Sequence, residues 1–330
     1  MNLFSKALDL NTIFVALAIG FALVLGYWLW NSIKKGRLEL EENELELRKF
    51  LERNPNDAQA HLALGNVLAK DSQRIAEAEA HLRQAIVLKP KYAMAYNNLG
   101  WLLYDKLQQY SEAKANYYKA IEFDPHLGLA YNNLGVLYEK LNRSADAVNC
   151  YWRAIQQSPK LAYPYNNLGS LLRNDPARST EAEQFYRKAI GLAPQWTLPY
   201  KNLGLFLAKD PNRANEAEAS YKIAIELEPD DPWTYYALGH LLAKNPIRHA
   251  DAKAYFFKNI ELAANRANSY YCIACIEATD GETESAFHYL QEAMQRGYDA
   301  EWARNDSDLD SIRHDPRFEQ ILNLPKSPML

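Results

Sequence analysis

The 330-residue chain contains little cysteine, and neither acidic nor basic residues are in large excess. Three cysteines exclude a disulfide framework, and so few thiols fit a reducing compartment better than an oxidising one. Acidic and basic residues are mixed along the chain, which has a formal net charge of −4 and no basic block. The charge therefore gives no reason to expect nucleic acid as a partner.

Motifs of catalysis and metal binding are missing as well. The seven histidines show no metal-ligand spacing, and the sequence contains no nucleophile elbow and no glycine-rich phosphate loop. Cys272 and Cys275 form the one Cys-x-x-Cys, but it lies inside a predicted helix and no second ligand pair follows it. We interpret both as small apolar residues, and we predict no enzyme activity, no cofactor and no metal site.

One uncharged run is unusually long. Residues 12–30 read TIFVALAIGFALVLGYWLW, and a helix of this length spans about 28 Å, close to the thickness of a bilayer core. Aromatic residues cluster at its end, where they favour the membrane interface. A signal peptide has a shorter apolar core and small residues at its cleavage site. We therefore predict a retained transmembrane helix over residues 12–33, preceded by a tail over residues 1–11.

Basic residues flank this run unevenly. Lys6 precedes it, whereas Lys34, Lys35 and Arg37 follow it. The positive-inside rule then places the rest of the chain in the cytoplasm, as in a single-pass protein of a bacterial inner membrane. A periplasmic or lumenal location with the reverse orientation is the alternative.

A short segment recurs through the remainder of the chain. YNNLG occurs at 96–100, 131–135 and 165–169, and related segments precede and follow it. The glycines of these segments are spaced by 34 or 35 residues and lie at Gly65, Gly100, Gly135, Gly169, Gly204 and Gly239. One more step of 35 residues reaches Ala274, in a degenerate seventh unit.

Other positions recur in phase with these glycines. In the unit around Gly135 they are Tyr138, Ala147, Tyr151, Ala154 and Pro159. This pattern resembles the tetratricopeptide repeat (TPR), and the resemblance covers residues 58–298. It implies an all-α fold, in which about seven TPR helix pairs form a right-handed α-solenoid. The predicted N-terminal transmembrane helix precedes this solenoid. In such a pair the glycine lets the second helix cross the first closely, and the proline ends the second helix.

Three connections and both ends of the array carry their own signals. Asp or Asn followed by Pro predicts a turn before a second helix at Asp175, Asp210 and Asn245. Residues 34–57 have apolar residues at helical spacing and predict a connecting or capping helix. We predict a C-terminal capping helix and tail over residues 299–330, because a terminal repeat must cover its apolar face.

Asparagines recur on the predicted first helices, which line the concave groove of a TPR array. Paired polar residues precede the repeat glycine at Asn97 and Asn98, Asn132 and Asn133, Asn166 and Asn167, and Lys201 and Asn202. An amide both donates and accepts hydrogen bonds, so a ladder of amides suits the backbone of an extended peptide. The arrangement is similar to the asparagine ladder in the TPR region of O-linked N-acetylglucosamine transferase. The alternative is that each asparagine braces the neighbouring helix pair.

The overall plan resembles the lipopolysaccharide assembly protein B group, without its C-terminal metal module of two cysteine pairs. The resemblance implies a membrane-anchored scaffold that recruits client proteins or peptides, in the assembly or quality control of a membrane complex. One alternative is a targeting-peptide receptor for protein translocation, similar to the anchored TPR receptors of mitochondria. Another is a self-associating TPR coat.

Overall fold

The protein is described here by a computed structural model, which covers residues 43–263 and 266–324. The predicted N-terminal tail, the transmembrane helix over 12–33 and the start of the connecting segment lie outside the described residues. Within the described residues, none of the helices has the length and apolar character needed to cross a membrane.

Every regular element in the two described ranges is a helix. Residues 43–53 form α1. Seven helix pairs follow: α2 (Ala58–Leu68) with α3 (Ile75–Leu88), α4 (Ala93–Asp105) with α5 (Tyr110–Phe123), α6 (Gly128–Lys140) with α7 (Ser144–Gln157), α8 (Ala162–Leu172) with α9 (Ser179–Leu192), α10 (Thr197–Leu207) with α11 (Ala214–Leu227), α12 (Pro232–Leu242) with α13 (His249–Leu262), and α14 (Ala267–Thr279) with α15 (Thr283–Gln295). Then come α16 (Ala300–Asn305) and α17 (Pro316–Leu322). The predicted all-α fold of repeated helix pairs is confirmed.

The chain divides into two compact units, unit 1 before and unit 2 after the boundary between residues 158 and 159. Unit 1 contains α1 to α7, and unit 2 contains α8 to α17. Within each unit the two helices of a pair contact each other most extensively, and each pair also contacts the next. This nearest-neighbour arrangement is expected for repeats, because one pair cannot bury its apolar face alone.

Five of the six repeat glycines lie against aromatic rings of the second helices, and Gly65 lies against Leu82. A Cβ on Gly100 would lie 2.8 Å from Cε1 of Tyr117, and one on Gly135 would lie 2.6 Å from Cε1 of Tyr151. Both tyrosine side chains are fully buried. A larger residue at these positions would push the second helix away, so the glycines are required by close packing, as the sequence predicts.

The Asp-Pro and Asn-Pro connections form short 3₁₀ turns at Pro176–Arg178, Pro211–Arg213 and Pro246–Arg248. The residue before each proline caps the turn: Asp210 Oδ1, for example, accepts a hydrogen bond from the backbone N–H of Asn212 at 2.9 Å. Such capping satisfies a backbone donor at the start of a helix. The predicted turns are confirmed.

Ion pairs join consecutive second helices in unit 2. Arg213, at the end of a 3₁₀ turn, donates to Glu183 of the preceding second helix at 2.6 Å and to Glu216 of its own at 2.8 Å. Arg187 donates to the same two carboxylates at 2.9 and 3.0 Å. These four side chains form a closed arrangement, called the ion-pair ring below. The hydrogen bonds to Arg213 and Arg187 lower the pKa of Glu216 to about 2.

The C-terminal segment covers the last helix pair. Leu309, Ile312 and Phe318 are buried in one apolar cluster with Phe287 and Leu290 of α15. Asp306 begins a 3₁₀ turn over Ser307–Leu309 that contacts α14, and α17 contacts α15. The chain thus folds back over the outer face of α14 and α15.

Candidate functional site

Each of the six first helices from α4 to α14 presents four positions on one side. They are spaced i, i+3, i+4 and i+7, so they fall on one face of the helix. We call this set the first-helix face: Met94, Asn97, Asn98 and Trp101 on α4; Leu129, Asn132, Asn133 and Val136 on α6; Tyr163, Asn166, Asn167 and Ser170 on α8; Leu198, Lys201, Asn202 and Leu205 on α10; Trp233, Tyr236, Ala237 and His240 on α12; Asn268, Tyr271, Cys272 and Cys275 on α14. Neighbouring first helices contact each other directly, α4 with α6 and α8 with α10.

In unit 1 the asparagine side chains bond to one another. Asn133 Nδ2 donates to Asn97 Oδ1 at 3.0 Å, and Asn97 Nδ2 donates to Asn98 Oδ1 at 3.0 Å. Asn98 Nδ2 then donates to Asn66 Oδ1 on α2 at 2.9 Å. Asn132 Nδ2 donates to Asn133 Oδ1 at 3.2 Å. The amides therefore form a continuous chain that links α6, α4 and α2.

Unit 2 contains a shorter amide chain. Asn166 Nδ2 donates to Asn167 Oδ1 at 3.3 Å, and Asn202 Nδ2 donates to Asn166 Oδ1 at 2.8 Å. Lys201 takes the place of the next asparagine and forms an ion pair with Asp231 at 2.8 Å. The lysine ammonium also lies 5.3 Å from the centre of the Trp233 ring, within the range of a cation–π interaction.

The structure thus places all eight predicted site residues on the first-helix face of their own unit. Four are buried: Asn97, Asn132, Asn133 and Asn166. The other four are half-buried: Asn98, Asn167, Lys201 and Asn202. The bonds between amides support the bracing alternative, and peptide binding by these residues stays a prediction.

Sequence reasoning did not identify an exposed apolar stripe on the same face of unit 2. Tyr163, Leu198 and Trp233 are each the second residue of their helix, and their side chains are 47%, 42% and 41% exposed. We call these three residues the apolar stripe. Trp196 packs edge-on against Tyr163, with ring centres 4.9 Å apart. The signal in the sequence was a large apolar residue recurring every 35 residues, six before each glycine.

The first-helix face of α12 and α14 opens into a cleft of about 750 Å³. Its walls come from the two helices, the turn before α13 and the C-terminal segment. The lining residues include Tyr236, His240, Lys244, His249, Asn268, Tyr271, Cys272, Cys275, Tyr298, Asp306 and Asp308. The Cys-x-x-Cys of the sequence therefore lines a cleft, although Cys275 also belongs to the buried apolar cluster of α14 and α15.

Hydrogen bonds and stacking fix the inner wall of this cleft. Tyr271 donates to Asp306 Oδ2 at 2.6 Å, and the rings of Tyr271 and Tyr298 stack with centres 3.8 Å apart. Asp306 Oδ1 accepts from the backbone N–H of Asp308 at 3.0 Å. Asp306 thus connects α14 to the C-terminal segment.

The two thiols in the cleft are poor nucleophiles. Burial raises the pKa of Cys272 to about 11, and burial together with the Asp306 carboxylate raises the pKa of Cys275. A redox or catalytic cysteine needs the opposite shift, because the thiolate is the reactive form. The interpretation of the Cys-x-x-Cys as a non-redox motif stays a prediction.

Sequence models of the tetratricopeptide repeat match most of the array. They match residues 44–93, 93–127, 128–161 and 162–195, and a TPR repeat model matches residues 211–245. Together these ranges cover more than half of the chain. A model described as an A/B hydrolase-like N-terminal domain matches residues 241–328, which run from the end of α12 through α17. No curated protein matches the chain in sequence.

Solved structures share the fold at low sequence identity. The PilF structure of Pseudomonas aeruginosa is 21% identical and has a TM-score of 0.55, with 66% of this chain and 94% of that chain covered. The C-terminal part of a TPR repeat-containing protein from Cytophaga hutchinsonii is 18% identical, with a TM-score of 0.53 and coverage of 75% and 98%. Yeast Tom70 is 18% identical, with a TM-score of 0.52 and coverage of 86% and 58%. These likenesses concern the fold.

Proposed function

Since this chain belongs to the tetratricopeptide-repeat superfamily, we propose that it is a protein-interaction scaffold that binds client proteins through its first-helix face. The observation that carries the proposal is the apolar stripe of unit 2. Tyr163, Leu198 and Trp233 are exposed at equivalent positions of three consecutive first helices. Repeated apolar side chains in solvent mark a surface that another molecule covers.

The composition of this surface suits a protein partner. Tyrosine and tryptophan are enriched among the residues that contribute most to protein–protein affinity, because they bury a large area at a small cost in side-chain entropy. Lys201 and Asp231 lie beside Trp233 and supply charged groups at the edge of the stripe. A client segment with apolar side chains spaced along an extended backbone would fit three anchor points that repeat from helix to helix.

The half-buried amides would contribute to the same contact. Asn202 lies four residues after Leu198, on the same side of α10, and it bonds to Asn166 of α8. A side-chain amide has two N–H groups and two acceptor lone pairs, so bracing uses only part of its capacity. In this proposal the amides hold the first helices in register and also meet the backbone of the client.

The predicted transmembrane helix over residues 12–33 would hold the scaffold at a membrane. The uneven basic flank supports a cytoplasmic array, on the inner membrane of a bacterium. A scaffold held there would meet clients at the membrane surface, which suits the assembly or quality control of a membrane complex. No catalytic role is part of the proposal.

Affinity capture with a stripe variant tests the proposal. Full-length chain is purified in detergent from its own cells, and the bound proteins are quantified by mass spectrometry. The test variant carries Tyr163→Ala, Leu198→Ala and Trp233→Ala together. Because truncation of a central anchor costs about 2 kcal/mol or more, we expect at least a tenfold loss of client.

A matched variant alters exposed apolar residues on the second helices. It carries Ile223→Ala on α11 and Phe257→Ala on α13, whose side chains are also exposed. We expect this variant to retain the client, and circular dichroism should show both variants helical. Equal capture by the stripe variant and the wild type would contradict the proposal.

A further inference from the structure

The sequence offered no second pair of ligands for the Cys-x-x-Cys, but the fold supplies one. Asp306 and Asp308 approach Cys275 from the C-terminal segment, about 30 residues further along the chain. The thiol of Cys275 and one carboxylate oxygen from each aspartate all lie within 4.8 Å of one another. Cys272 lies one helical turn before Cys275 and lines the same cleft. We call these four residues the Cys–Asp cluster.

The members of the cluster differ in freedom of movement. Cys275 is 8% exposed, and its thiol points to Asp306 Oδ2 at 4.0 Å, a long contact even for sulfur. Asp306 is fixed by its bonds to Tyr271 and to the backbone of Asp308. The Asp308 side chain is exposed, so it is free to turn toward the thiol.

We propose that the Cys–Asp cluster binds a divalent cation of the zinc class. Three donor atoms that converge from two separate segments match the three protein ligands that zinc takes in a site with an open position, and Cys272 lies one helical turn away. Zinc holds sulfur at about 2.3 Å and carboxylate oxygen at about 2.0–2.2 Å, so binding would draw the donors together from their present spacing. Calcium and magnesium prefer oxygen ligands alone, and thiolate donors select against them.

The surroundings have features that stabilise metal ligands. The Tyr271 hydroxyl donates to Asp306 Oδ2 and orients that carboxylate, as second-layer partners do in known metal sites. The carboxylates of Asp306 and Asp308 lie close together beside the Cys275 thiol, so two negative charges meet at one place. A bound cation would compensate them, and each coordinating thiol would release its proton to solvent.

Cobalt and zinc titrations of the full-length chain in detergent test this inference. Cobalt bound to a thiolate absorbs in the near ultraviolet, and zinc that competes with a chromophoric chelator gives a dissociation constant. We expect one ion per chain with cobalt–thiolate absorption. Cys275→Ser should abolish the absorption, and Asp308→Asn should raise the zinc dissociation constant at least about tenfold.

Two matched variants serve as controls. Cys150→Ser alters the third cysteine, which is buried on α7 in unit 1, and Asp310→Asn alters a carboxylate that pairs with Arg313. Both should bind zinc like the wild type. If Cys275→Ser fails to fold, Asp308→Asn decides the question, because this exposed side chain is not needed for packing. Absence of cobalt–thiolate absorption, or an unchanged zinc dissociation constant in Asp308→Asn, would overturn the inference.

Discussion

The first-helix face has the same four positions on α4 in unit 1 and on α14 in unit 2, yet the side chains at these positions behave differently on the two helices. On α4 the middle positions carry Asn97 and Asn98, which bond to amides of the neighbouring first helices. On α14 the same positions carry Tyr271 and Cys272, and the face there opens into a cleft. A phenol or a thiol cannot continue a ladder of amides, because neither combines a donor and an acceptor in the geometry of an amide.

This difference separates two roles for polar residues in one repeat pattern. Where the asparagines recur, their polar groups are used to join one helix pair to the next. On α14, where the asparagine pattern ends, polar groups of α14 and of the C-terminal segment converge on the cleft. The regular part of the array is thus held by its own side chains, while the degenerate end keeps donor atoms available for a ligand.

The largest loss of stability should come from breaking the hydrogen bond between Tyr271 and Asp306 in the wall of the cleft. Tyr271→Phe removes the hydroxyl that donates to the Asp306 carboxylate at 2.6 Å. Hydrogen bonds to charged groups contribute about 1.5–3 kcal/mol, and we expect a loss of that size in the free energy of unfolding, measured with urea. Tyr270→Phe alters the preceding residue, outside this bond, and should change the value by less than about 0.5 kcal/mol. Equal effects of the two variants would contradict this account of the wall.

A somewhat smaller effect should follow from interrupting the amide ladder. Asn97 is 1% exposed, and its amide bonds to both Asn98 and Asn133. Asn97→Ala leaves a buried donor of Asn133 unpaired, which costs about 1–3 kcal/mol in the free energy of unfolding. Asn66→Ala at the exposed end of the ladder should cost less than about 0.5 kcal/mol, since water replaces the lost amide. If Asn97→Ala unfolds at the same urea concentration as the wild type, the ladder is not a brace.

The smallest loss of stability should come from breaking the ion-pair ring. This ring joins second helices, whereas the amides join first helices. Arg213 lowers the pKa of Glu216 from its ordinary 4.5 to about 2. A carboxyl whose pKa is lowered by folding stabilises the fold above its unfolded pKa, and this contribution is lost as the pH falls toward the folded value. The urea midpoint of the wild type should therefore fall between pH 4.5 and 2 more steeply than that of Glu216→Gln.

Salt and a second variant sharpen this comparison of the two braces. High salt screens exposed ion pairs, so it should remove the difference in urea midpoint between Glu216→Gln and the wild type. It should leave the loss of stability caused by Asn97→Ala unchanged. Glu226→Gln, on the same helix as Glu216 but outside the ring, should follow the pH profile of the wild type. A salt-dependent effect of Asn97→Ala would argue against the distinction between the braces.

The helix pairs were predictable because their cause is local and repeated. A glycine on the first helix, an alanine and a ring on the second, and a proline at the end recur in phase, and each has one packing role. The structure shows those roles directly at Gly135 and Tyr151. The bracing role of the asparagines was foreseen as an alternative, but their mutual bonds depend on the distance between neighbouring first helices.

The cleft was not predictable from the repeats, since it forms where the pattern stops. Its polar wall depends on how the segment around Asp306 folds back on α14, and the repeat period does not encode that path. Aspartates give a weaker sequence signal for a metal site than cysteines or histidines, because aspartates are common on protein surfaces. The apolar stripe, in contrast, has a 35-residue period in the sequence, but the period alone does not show which apolar side chains are exposed.

Photocrosslinking from defined positions tests most directly whether clients bind the first-helix face. A photoreactive amino acid replaces Trp233 on α12 or Phe257 on α13 in the full-length chain, and cells producing each variant are irradiated. Both positions are exposed, so each probe can react with a partner that covers its own helix face. The account predicts adducts with one defined set of proteins from position 233 and none from position 257. Adducts from position 257 alone would contradict it and place the client on the second helices.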